Sequence, residues 1–206
     1  MLDTSKMNAA RKTLLVAVLT AVFILIAVPF KVMSLIPGFT EIRPVNCFNM
    51  LFGLLFGIYG AFACAVGNLI ADALGGTLAI SSWAGFIANF LGTYLAHVIW
   101  YKTVKKRPLI KDVKEVSVFA ALSVLMAVMI AAIIAFGVGI SYHEVDLVSL
   151  SESIVINNVV FSILLGLPLL VTAENAFDVV GNIPDSIARV TVSDAVRGSE
   201  TDGGKG

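Results

Sequence analysis

The chain has 206 residues, 58% hydrophobic and 14% charged, with a formal net charge of zero and a mean hydropathy of +0.95. A soluble domain needs more polar surface than that to cover its core. The zero net charge says nothing about nucleic acid, but no basic surface interleaved with aromatics of the kind nucleic-acid binders use appears, so no nucleic-acid partner is expected. Apolar runs occupy about residues 13–36, 45–76, 82–101, 116–140 and 154–173, lengths that suit a hydrocarbon core crossed by roughly 20 residues.

Lys6, Arg11 and Lys12 precede the first run. The apolar stretch from Thr13 to Phe30 exceeds the about 7–15 residues of a signal-peptide core, so it reads as a first helix. The second run would span about 48 Å as one helix, against a core of about 30 Å. Gly57 and Gly60 lie inside it and offer a turn. Splitting there gives 45–57 and 60–76, and six helices in all. The short 45–57 helix must be tilted, buried among neighbours or extended upstream.

The basic residues test the split. Lys102, Lys105, Lys106, Arg107, Lys111 and Lys114 fill one loop, and Arg189, Arg197 and Lys205 follow the last helix. Six helices put these and the basic N-terminus on one side, as the positive-inside rule requires; five would put the most basic loop outside. The expected fold is an all-α integral membrane domain of six transmembrane helices over residues 1–175, with both termini cytoplasmic. A polar tail, 176–206, follows, its end expected to be disordered. Gly198 and Gly203 in the tail have P-loop spacing, but Gly204 stands where lysine is needed. ATP binding by this chain is rejected.

Polar residues collect in the outer half: Asn46, Asn49, Asn68, Asp72, Trp83, Asn89, Asn157 and Asn158, with Glu41, Arg43, His143, Glu144, Asp146 and Glu152 in the outer loops. Polar groups in hydrocarbon usually face a protein interior or a wet cavity. Amides from four helices at similar depth point to a cavity open to the outside. Single asparagines can also act as interhelical glue. Asp72 fits either the pocket or the interface. Glu41 and Arg43 are either an exposed loop pair or the rim of the pocket; Pro44 disfavours helix at Arg43, so an extended segment could lay the arginine into the mouth. His97, beside Trp100 and Tyr101, reads as part of an interfacial aromatic belt. Cys47 and Cys64 read as small buried apolar residues at different depths. No metal-ligand cluster and no catalytic set appears, so neither a metal nor enzymatic activity is expected.

Small residues at four-residue spacing, such as Ala17-x-x-x-Ala21, allow close helix approach. "PGFTEIRPVN" leading into "GLLFGIYGAFACAVGNLIADALGG" resembles the substrate-binding S component of an energy-coupling factor (ECF) transporter. The resemblance covers nearly the whole chain to about residue 175. Ile58 stands where the family commonly has proline. The resemblance implies a small vitamin- or nucleobase-like ligand near the outer face under loop lids. It implies docking to a transmembrane T component driven by two ATPases, with Ala17 and Ala21 as the docking face. No cofactor is implied for this chain, since ATP belongs to the ATPases. Arg43 is similar to the helix-2 arginine of the queuosine-precursor type, whose members carry an acid where Asn46 stands.

The resulting expectation is a multi-pass cell-membrane S component. Glu41, Arg43, Asn46, Asn49, Asn68, Asp72, Asn89, Asn157 and Asn158 would line its substrate site, and a queuosine precursor is the first guess for the ligand. The rivals are a stand-alone membrane carrier, which needs a polar path through both halves, and a structural membrane subunit without ligand.

Overall fold

The structure is a computed structural model; it describes residues 8–32, 34–36, 40–105, 108, 110, 112–142 and 144–181. Helix α1 spans Ala9–Val32, α2 Cys47–Phe56, α3 Ile58–Leu74, α4 Ser81–Thr103, α5 Val113–Ser141 and α6 Leu147–Phe161. A π-helical segment, Ser162–Gly166, leads from α6 into α7, Leu167–Gly181. Ala9–Phe30, Val113–Ser141 and Leu147–Ala173 are long and apolar enough to cross a bilayer. The chain is a multi-pass membrane bundle. Leu25 is 71% exposed and Phe136 73%, an outward display of large apolar side chains that lipid tolerates and water does not.

The apolar run expected to stay helical to residue 36 ends its helix at Val32. Beyond it, β1 (Ser34–Ile36) pairs antiparallel with β2 (Thr40–Glu41), Ser34 opposite Glu41 and Ile36 opposite Thr40. A short apolar run does not by itself distinguish strand from helix. The last apolar run begins its helix at Leu147, well before residue 154. Asp146 caps it, its carboxylate accepting from the Val148 and Ser149 amides at 3.0 and 3.4 Å. Ser149, Ser151, Glu152 and Ser153 in its first two turns are what an apolar-run reading leaves in the loop, and the cap fixes the start ahead of them. Asp112 and Glu115 close α5 with a reciprocal capping box.

Helix α2 occupies the centre. It packs on α3, α4 and the π segment, and every residue from Cys47 to Leu55 is buried. A 3₁₀ turn, Pro44–Asn46, extends it upstream. Together the 13 residues cover about 20 Å, so this short element survives at membrane depth because protein surrounds it.

The break between α2 and α3 falls at Gly57, whose φ of 57° and ψ of −127° lie outside the range of ordinary L-residues. One turn on, Gly60 lets α3 fold back against α2: a Cβ there would overlap the Phe52 carbonyl oxygen. Helices α3 and α4, and α4 and α5, pack as neighbours, and α1 lies on α3. The chain divides into two compact units, Met1–Val171 and Thr172–Gly206. Of the second, the described part is the C-terminal end of α7; residues 182–206 lie outside the described residues.

Candidate functional site

The polar residues converge at the end of the bundle that carries the β1–β2 hairpin. Arg43 is non-helical, with φ −119° and ψ 74°, in keeping with the exclusion of the α region before a proline. Its backbone N–H donates to Asn157 Oδ1 at 3.0 Å, and its Nη2 donates to Asn68 Oδ1 at 3.0 Å. One residue thus ties the entrance of α2 to α6 and α3. The guanidinium bond is charge-assisted and stronger than an amide–amide contact.

A second layer lies beneath. Asn49 Nδ2 donates to Asn158 Oδ1 at 3.4 Å, and Thr93 Oγ1 donates to Asn49 Oδ1 at 3.4 Å. These contacts link α2 to α6 and α4. All six asparagines, Asp72 and Thr93 are buried. Asn68 and Asp72 are one helical turn apart, as are Asn89 and Thr93, so each pair shares a face.

An amide side chain offers one acceptor oxygen and two donor hydrogens, and the asparagines differ in how much of this is used. Asn157 donates to Ser153 O at 3.0 Å and Asn158 to Ile154 O at 2.9 Å, while their oxygens accept from Arg43 and Asn49. Asn49 is engaged at both ends. These three are committed to the protein. Asn68 engages its oxygen and Asn89 its nitrogen, the latter to Gly85 O at 2.7 Å. Asn46 makes no side-chain hydrogen bond among the described residues. The spare hydrogen-bonding capacity therefore sits on Asn46, on Asn68 Nδ2 and on Asn89 Oδ1.

Several expected residues are placed elsewhere. Glu41 lies in β2, and its side chain and His143 fall outside the described part of the structure. Trp83 is 59% exposed and packs by Phe86, at a ring-centroid distance of 6.1 Å. Asp146 serves α6: the Ser149 hydroxyl at 2.6 Å, then the two capping amides, hold its carboxyl below the usual carboxylate range. His97 is a buttress of the helix break as much as a belt residue. Its Nδ1 lies 3.1 Å from Gly53 O, and its ring faces Gly57.

Thr93 was not expected in the cluster. Its spacing of four from Asn89 was the available signal, but threonine hydroxyls in helices usually return to their own backbone. Ala17 and Ala21, near the middle of α1, are exposed and line a groove of about 580 Å³ between α1 and α3.

No curated protein and no solved structure matches the chain. The model of the ECF-type riboflavin transporter S component family matches residues 7–175, a stretch that takes in the polar cluster and the helices that hold it, and the chain belongs to that family.

Proposed function

We propose that this ECF S component binds a small planar heterocycle of the vitamin or nucleobase type at the Arg43–Asn68–Asn157 junction. The observation that carries the reading is the uneven use of the amides. Asn49, Asn157, Asn158 and Thr93 form a hydrogen-bonded frame. Asn46, Asn68 Nδ2 and Asn89 Oδ1 retain donors and acceptors for a ligand, with Arg43 beside them. Such a set matches a ring edge of alternating carbonyl and N–H groups, with the guanidinium fork supplying parallel donors. Asp72 lies one turn beyond Asn68 on the same face of α3.

A dione-bearing ring such as that of riboflavin has this edge, and the description of the matched family names riboflavin. A queuosine precursor, which the helix-2 arginine suggested, has a related amide edge and is the alternative ligand. The described acids toward the hairpin end favour a neutral or cationic compound. Uptake would run through a T component docked on the Ala17–Ala21 face and two ATPases, which alone bind ATP; both termini of the S component would be cytoplasmic.

The test is mass spectrometry of small molecules released from the detergent-purified protein, with added riboflavin titrated by flavin fluorescence quenching. A stoichiometric flavin, or saturable quenching, supports the riboflavin reading. A bound deazapurine would replace riboflavin with the queuosine precursor. Neither compound bound, and no quenching, would refute the reading of the ligand.

A further inference from the structure

The α1–α3 groove is an apolar trough with one charged group in it. Ala17, Ala21 and Ile24 of α1 and Phe62 and Val66 of α3 line its length, and Lys12 and Tyr59 stand together at one end. Lys12 Nζ lies 6.0 Å from the Tyr59 ring centroid, a long cation–π contact. No carboxylate pairs with Lys12 among the described residues. A lysine in this setting lays its stem along apolar surface and holds its ammonium at the membrane interface.

The length of the trough matches one leaflet. Ile24 lies twelve residues beyond Lys12, about 18 Å along the helix, against about 15 Å for half of the hydrocarbon core. An acyl chain whose headgroup sits at Lys12 would run along the trough to about mid-membrane. Apolar contact alone gives no preference for this place, since lipid tails are as apolar as the side chains they touch. The headgroup is what can discriminate. A phosphate at Lys12 meets an ammonium that has no other ionic partner, beside an aromatic ring of the kind that favours headgroup level. A zwitterionic headgroup brings its own cation to the same place and offsets part of that attraction. Charge complementarity therefore selects a lipid of net negative charge.

We propose that the α1–α3 groove is a binding site for one anionic phospholipid, its phosphate on Lys12 and an acyl chain along Ala17 and Ala21. The site is separate from the polar cluster and independent of which compound binds there. A lipid in the trough and a helix docked on Ala17 and Ala21 exclude one another, because both need the same two residues.

The test uses the full chain, purified in detergent, depleted of lipid and titrated with phosphatidylglycerol or phosphatidylcholine in mixed micelles. Native mass spectrometry counts the lipids retained per chain. One phosphatidylglycerol is expected to bind about fivefold more tightly than phosphatidylcholine, the ratio that about 1 kcal/mol per lysine at an anionic headgroup gives. Lys12→Gln is expected to remove that preference. Arg11→Gln removes the same charge one residue away, outside the groove, and is expected to keep it. Ala21→Leu fills the trough and is expected to lower retention of both lipids. Equal retention of the two lipids by wild type, or an unchanged preference in Lys12→Gln, would overturn the headgroup contact. An equal loss in Arg11→Gln would reduce the preference to general attraction and overturn the site. Wild-type retention by Ala21→Leu would put the lipid elsewhere and overturn the groove. Lys12 and Arg11 are not buried, so the two glutamine variants decide the case even where Ala21→Leu does not fold.

Discussion

Replacing Arg43 by alanine separates its two roles. The bond from its backbone N–H to Asn157 survives any side-chain change, so the non-helical segment stays tethered to α6. The guanidinium bond to Asn68 disappears, and Asn68 Oδ1 loses its partner. A hydrogen bond to a charged group is worth about 1.5–3 kcal/mol. If the ligand relies on the fork or on the Asn68 orientation that it sets, affinity falls about tenfold to a hundredfold, at about 1.4 kcal/mol per factor of ten. Arg43→Lys keeps the charge without the planar fork and should recover only part of the loss. The assay is calorimetric or fluorescence titration of the purified protein with riboflavin and with a queuosine precursor, alongside thermal unfolding in detergent. A dissociation constant for Arg43→Ala within about twofold of wild type, for whichever compound binds, would show that the guanidinium is a helix tie and not part of the site.

Asn46→Ala and Asn158→Leu should behave oppositely. The first removes an amide with no described partner and should weaken ligand binding with little change in melting temperature. The second leaves Asn49 Nδ2 buried without its acceptor and should cost about 1–3 kcal/mol of stability, read by thermal unfolding. Gly60→Ala places a Cβ against the Phe52 carbonyl and should destabilise the protein by about 1–3 kcal/mol, since backbone must move to relieve it. The α6 cap should be pH-dependent. Asp146 has a depressed folded-state pKa, so its contribution is present above the carboxyl's unfolded pKa and is lost as pH falls through the folded value. The protection of the Val148 and Ser149 amides, as hydrogen exchange corrected for its intrinsic pH dependence, should fall on acidification, and Asp146→Ala should show that loss already at neutral pH.

Much of the buried polar cluster was legible because membranes penalise polar groups. Asn46, Asn49, Asn68, Asp72, Asn89, Asn157 and Asn158 stand out against apolar neighbours, and the positive-inside count groups them in one half. Thr93 escaped notice because its hydroxyl has an ordinary local alternative, and the early start of α6 escaped because Ser149, Ser151, Glu152 and Ser153 interrupt its first two turns. His97 read as a belt residue because its contact with Gly53 O comes from another helix and leaves no mark in local sequence.

By itself, the sequence determined that the chain crosses a membrane, where the long run must break and which residues could not face lipid. These follow from hydropathy, from the length of a helix against the bilayer, and from glycine's access to positive φ. Only the tertiary structure decided how each amide is used. Burying α2 on all sides set Asn49, Asn158 and Thr93 in one frame and turned Arg43 onto Asn68 and Asn157. It left the Asn46 amide without a hydrogen-bond partner among the described residues. Hydrogen-bond partners lie on other helices, tens of residues away in the chain, and packing alone brings them within 3.5 Å.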